Sequence, residues 1–171
     1  MKLMRPLFRA AVAALSLAAC GFVPAHTAGQ KNDAGVTTFD RFKGLAGDWT
    51  GTGGTVRFKV SSGGSVVQQI YFPDSEQEMT NMITRDGSDV VLTHYCMVGN
   101  QPRMKASDKA SGNSVAFTFV SAGNLKSPNS MHMHNVTFTF VDADTIKETW
   151  TSWKDGKKAG PDDVFTHKRK K

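Results

Sequence analysis

The sequence predicts an all-β fold, an antiparallel up-and-down β-barrel of about nine or ten strands with a short N-terminal helix. Three observations predict it. Beyond Gly47 the chain is a series of short segments in which apolar and polar residues alternate, as strands with one buried face do. Clusters of Gly, Pro, Asn, Asp and Ser separate these segments at near-regular intervals. Few segments carry the charges or prolines that protect an exposed edge, and closing the sheet into a barrel removes its edges.

The chain begins with MKLMRPLFR, which holds Lys2, Arg5 and Arg9 and no acid, followed by the apolar run AAVAALSLAAC. A basic start and a short apolar core form a secretory signal, too short to span a bilayer as a stable helix. Two cleavage readings stand. "LAAC", ending at Cys20, fits a lipoprotein signal that ends at residue 19, with Cys20 lipidated as a membrane tether. "VPA", Val23 to Ala25, fits ordinary cleavage after a signal peptide of residues 1–25. Either way the expectation is export to the periplasm. Residues 26–36, HTAGQKNDAGV, are polar and read as a linker, and residues 37–171 form one barrel domain.

In TTFDRFKGLAG, Phe39, Phe42 and Leu45 recur at helical spacing, Thr38 is placed to cap the helix and Gly47 to end it. The helix is expected to plug one end of the barrel. The predicted strands follow: GDWTGTG with TVRFKV, SVVQQIYF, EMTNMITR, DVVLTHYC, RMKASDK, SVAFTFV, HMHNVTFTF, DTIKETWTSW and DVFTHKRK. "SSGG", "FPDS", "DGS", "GNQP", "ASGN", "DAD" and "KDGK" between them have turn chemistry.

The formal net charge is +6. Without the three basic residues of the leader, 18 basic residues face 15 acidic ones, and four of the 18 lie in the tail Lys168 to Lys171. The rest is nearly neutral, which excludes the clustered basic face of a nucleic-acid binder. The tail reads as a frayed, solvated terminus, with contact to anionic lipid as the alternative. Cys20 and Cys96 are the two cysteines. With Cys20 lipidated or removed, no internal disulfide forms, and stability rests on the core.

Alternation assigns the faces. Val136, Phe138 and Phe140 share one face with His132 and His134, so both histidines point inward unless a bulge shifts the register. Val90, Leu92, His94 and Cys96 share a face, as do Ile146, Glu148, Trp150 and Ser152, and Val115, Phe117 and Phe119. Counting hairpins in a meander then gathers His94, Cys96, Asn100, Gln101, Arg103, His132, His134, Trp150 and Ser152 at one mouth, with Glu148 a little deeper. The segment 121–130, SAGNLKSPNS, is long for a hairpin and suits a lid over that mouth.

Apolar walls with a few placed polar groups are the signature of a small-molecule site. Eleven Phe and eight Met residues supply adaptable lining. The candidate ligand-binding residues are His94, Cys96, Arg103, His132, His134, Glu148 and Trp150. Arg103 suits a carboxylate through two parallel hydrogen bonds, although alternation opposite Met104 also allows it to face solvent. His94, His132 and His134 form a candidate three-imidazole zinc site with Glu148 behind it. His94 and Cys96, two apart on one face, allow a thiol–imidazole pair, but an inert buried thiol is the commoner use. A bare "GTGGT" reads as a bulged first strand, because no helix or Lys-Ser/Thr follows to make a phosphate loop.

"FDRFKGLAGDWTGTG", "LTHYCMVGNQPRM" and "MHMHNVTFTFVDADTIKETWTSWKDGK", in that order, resemble a bacterial family of small exported lipocalin-like proteins, over about residues 38–168. The Gly-x-Trp start of the first strand is similar to that of calycin barrels, which include fatty-acid-binding proteins and nitrobindin-type haem barrels. The resemblance implies a ligand-binding barrel. Nitrobindin-type proteins hold haem through a His near the C-terminus; His167 lies there, without the family's flanking pattern. The leading expectation is a non-catalytic exported barrel, without cofactor, that binds a small apolar or amphipathic ligand. The alternative is a zinc- or haem-binding barrel, an enzyme among its forms, that uses the inward histidines. A third reading is a side-chain-filled structural barrel of the cell envelope.

Overall fold

Why ten strands close on themselves is visible in how the first and last of them meet. The computed structural model describes residues 37–109 and 112–171; the leader, Cys20 and the linker lie outside the described residues. The strands are β1 (Gly47–Gly51), β2 (Gly54–Ser61), β3 (Val66–Tyr71), β4 (Met79–Asp86), β5 (Asp89–Tyr95) and β6 (Gln101–Ser107). They continue as β7 (Ser114–Gly123), β8 (His132–Asp142), β9 (Thr145–Lys154), the two-residue β10 (Lys157–Lys158) and β11 (Asp163–Arg169). Neighbours from β1 to β9 pair in antiparallel order, β9 also pairs with β11, and β11 with β1. The result is a closed antiparallel ten-stranded barrel, compatible with a lipocalin-like fold, with β10 attached to β9.

The closing seam depends on Gly51. A Cβ there would lie 1.8 Å from the Thr166 carbonyl oxygen, so only glycine lets β1 approach β11 this closely. Turn chemistry sets the hairpins. Asp155 and Gly156, with φ of 53° and 71°, form the two-residue link in "KDGK" that matches strand twist. In "DAD" the Asp142 carboxylate accepts the Asp144 N–H at 2.8 Å.

The helix α1 (Thr38–Lys43) closes one end, as expected, with two corrections at its termini. Thr37, not Thr38, is the cap: its Oγ1 accepts the Asp40 N–H at 3.1 Å, while Thr38 is buried in the first turn and donates to the Ser107 carbonyl. The helix ends at Gly44 rather than Gly47; Gly47, at φ 127°, already belongs to β1. A six-residue helix has too few internal bonds to hold itself, so tertiary contacts hold it. Phe42 packs edge-on against Phe138, Phe140 and Phe117, with ring centroids 5.0, 5.6 and 5.7 Å away. Trp49 donates its indole N–H to the Leu45 carbonyl at 2.8 Å.

The basic tail is not frayed. Lys168 and Arg169 are ladder residues of β11, and the Lys170 N–H donates to the Asp48 carbonyl at 2.8 Å. Arg169 stacks over Trp49 and donates to the carbonyls of Ala46 and Gly44, which satisfies acceptors left by the short helix. Alternation then sends one face of β3, β4, β5 and β9 toward a common interior. Val67, Gln69 and Tyr71 of β3, Asn81 and Ile83 of β4, Val90, Leu92 and His94 of β5, and Ile146, Glu148 and Trp150 of β9 are all buried.

Candidate functional site

Antiparallel order places the ends of β1, β3, β5, β7 and β9 together at the end opposite α1. A cavity of about 190 Å³ lies there. Phe72, Met79, Met133 and Phe165 form its apolar wall. His94, Cys96, Trp150 and Tyr71 also line it, with Gly53 and the exposed Asp163 completing the lining. Gly53 is required: a Cβ there would come within 2.8 Å of the Phe165 ring and 3.1 Å of His167 Cε1.

Beneath this cavity runs a buried polar chain. His94 Nδ1 lies 2.7 Å from Asn81 Oδ1. Asn81 Nδ2 donates to Gln69 Oε1 at 2.7 Å, and Gln69 Nε2 donates to Glu148 Oε1 at 2.6 Å. The second carboxylate oxygen of Glu148 accepts the Tyr71 hydroxyl at 2.5 Å and the Trp150 indole N–H at 3.0 Å. An interior carboxylate is costly unless it is well bonded. Burial raises the pKa of Glu148, and the bonds from Tyr71, Trp150 and Gln69 oppose the rise. Burial, then the Glu148 charge, pushes the Tyr71 hydroxyl well above its ordinary value, so Tyr71 keeps its proton. His94 is driven down to about 4 by burial and is neutral near pH 7.

His167 is fully buried, and its Nε2 lies 3.7 Å from Glu148 Oε1, outside hydrogen-bond reach. Neither of its ring nitrogens has a partner among the described residues. Burial lowers its pKa, which disfavours an imidazolium beside Glu148.

Of the residues predicted from sequence, His94, Cys96 and Trp150 line the cavity, and Glu148 lies in the chain under it. Cys96 is a free thiol. The other three are placed differently. His132 and His134 do not line the cavity, because the β8–β9 register shifts between Met133 and Asn135. The Asn135 side chain accepts the Phe119 N–H at 2.9 Å, and Thr151 Oγ1 accepts the Asn135 N–H at 3.1 Å; these bonds replace ladder bonds at the bulge. Met133 takes the place in the wall. His134 is stacked between Phe119 and Trp153, with centroids at 4.3 and 4.0 Å, and His132 Nε2 lies 3.3 Å from His134 Nδ1. Arg103 pairs in register with Thr93, between the inward Pro102 and Met104, so it points to solvent, where it meets Asp86 at 3.2 Å.

Among the described residues no three His, Cys, Asp or Glu side chains are grouped to hold a metal ion. His167, the histidine near the C-terminus, is buried and is not part of the cavity lining. Asn100 is buried, donates to the Met131 carbonyl, and leaves its Oδ1 without a partner. Ser152 donates to the Ala159 carbonyl, and Gln101 to the Gly99 carbonyl. The segment 121–130 does not hang free as a lid. Asn124 donates to the Gly99 carbonyl, and the Asp155 N–H donates to the Asn129 carbonyl.

The site residues that sequence reasoning passed over are Gln69, Tyr71 and Asn81. Their signal was present: in SVVQQIYF the alternation that buries Val67 also buries Gln69 and Tyr71, two polar residues on an inward face. No protein-family model matches the chain, and a search of curated proteins finds no match.

Proposed function

We propose that the protein is an exported, non-catalytic barrel that takes up one small apolar or amphipathic molecule at its open end. The observation that carries this reading is the cavity of about 190 Å³, walled by Phe72, Met79, Met133 and Phe165 above a hydrogen-bonded polar floor. An apolar protein cavity of about 150 Å³ is enough to hold benzene. The present one is therefore the size for one substituted ring or a short alkyl chain, and it is too small for an entire long-chain lipid. The soft Met79 and Met133 side chains adapt to such a guest. The basic-then-apolar leader supports export, and "LAAC" supports a lipid tether at Cys20.

Titration of the ¹⁵N-labelled full chain with toluene tests the reading. Saturable shifts centred on Met79, His94, Met133 and Trp150 are expected. A Met133→Trp substitution, which fills the space, is expected to abolish them. Failure to bind toluene, or binding that Met133→Trp leaves untouched, would refute the proposal. Membrane fractionation of a Cys20→Ser variant tests the tether: the protein should move to the soluble fraction.

A further inference from the structure

The direction of the buried hydrogen-bond chain fixes what the cavity asks of its guest. Glu148, with three donors aimed at its two oxygens, acts as an acceptor throughout. Gln69 gives it an amide N–H and so turns its carbonyl oxygen toward Asn81. Asn81 fills that oxygen with its own N–H and so turns its Oδ1 toward His94. An amide oxygen only accepts, so His94 must carry its proton on Nδ1. Its Nε2 is then a bare lone pair. This atom has no hydrogen-bond partner among the described residues, and His94, 4 % exposed, lines the cavity.

We infer that the cavity selects neutral molecules carrying a single O–H or N–H donor on a small apolar body, such as phenols or indoles, and that His94 Nε2 receives that donor. This rests on the proposed ligand-binding function and narrows it. Three further features agree. Among the described residues no Lys or Arg lines the cavity, so a carboxylate would enter without a counter-charge. The one charged lining residue, Asp163, is itself an acceptor and repels anions from the entrance. The depressed pKa of His94 keeps Nε2 unprotonated near pH 7.

Calorimetric and NMR titration of the full chain with p-cresol, toluene and benzoate at pH 7.5 tests the inference. The three share a ring and differ in carrying a donor, no polar group, or an anion. p-Cresol should bind about tenfold more tightly than toluene, the value of one hydrogen bond to a desolvated acceptor. Benzoate should bind more weakly than either. In His94→Leu the preference for p-cresol should fall to about one. Equal binding of toluene and p-cresol by the unmodified chain, or tightest binding of benzoate, would overturn the donor rule and leave the cavity reading intact. Binding of none of the three would overturn both. Should His94→Leu not fold, ¹⁵N spectra of the unmodified chain still decide. They should show the Nδ1–H tautomer and a shift at His94 Nε2 on adding p-cresol; an Nε2–H tautomer would overturn the inference.

Discussion

Replacing Tyr71 by Phe removes one hydroxyl and keeps the ring, so the effect reports chiefly the donor to the buried Glu148 carboxylate, since the hydroxyl's other contact, with Asn81 Nδ2, is long at 3.4 Å. Tyr71 is 6 % exposed and Glu148 0 %, so water does not stand in for the lost hydroxyl. A hydrogen bond to a charged group contributes about 1.5–3 kcal/mol and one to a neutral group about 1 kcal/mol. Tyr71→Phe should therefore cost about 2 kcal/mol at pH 7, a fall in melting temperature of about 8 °C for a domain of this size. The pH dependence adds a sign. Glu148 has a folded pKa above 4.5, raised mainly by burial. As pH rises through 4.5 the unfolded chain loses this proton first, so the Glu148 contribution to stability falls with rising pH until the folded carboxyl ionises. Removing the Tyr71 donor raises the folded pKa further and extends that fall. The gap between the two proteins, measured by urea unfolding, should thus shrink to about 1 kcal/mol at pH 4. A gap below about 0.5 kcal/mol at pH 7, or one that widens on acidification, would refute the reading of Glu148 as a carboxylate held by its donors.

Three other substitutions probe separate parts of the structure. Burial depresses the folded pKa of His94 from 6.5 to about 4, so the unfolded state takes up the proton first as pH falls. Stability from this group is full above pH 6.5 and declines toward pH 4; in His94→Gln, the unfolding curves between pH 7 and 5 should be flatter by about 2 kcal/mol. Phe42→Ala leaves a void among Phe117, Phe138 and Phe140 and should cost about 3–5 kcal/mol in urea unfolding; a loss under 1 kcal/mol would mean that α1 is not a structural plug. Arg103→Ala breaks an exposed pair with Asp86, so stability should change by less than about 1 kcal/mol and toluene affinity not at all.

The barrel was legible because its signals are local. Period-2 alternation sets the buried face of β5 and β9, and Asp-Gly or Asx chemistry marks the turns, so His94, Cys96 and Trp150 could be brought to one mouth by counting. The errors arose where a single residue slips. At His134 a bulge interrupts the register, and what stabilises it is a pair of side-chain bonds, from the Phe119 N–H to Asn135 Oδ1 and from the Asn135 N–H to Thr151 Oγ1, that no pattern in MHMHNVTFTF announces. Arg103 was ambiguous for the same reason, since one shift of phase exchanges wall and solvent. The Gln69–Asn81–His94 chain was missed for another cause. The alternation in SVVQQIYF that went unread turns Gln69 inward, but only a three-dimensional register puts it beside Asn81, twelve residues on.

The seam at Gly51 has a consequence for the order in which this chain reaches its native state. β1 forms its last contacts with β11, so the first strand to be synthesised waits for the last. Until Asp163–Arg169 emerges, the sheet has two open edges and α1 lacks the Arg169 donors for its terminal carbonyls. Pairings of such long sequence separation make folding slow, on the millisecond-to-second scale typical of all-β domains. Closure of the barrel is therefore postponed until Asp163–Arg169 is available to pair with β1.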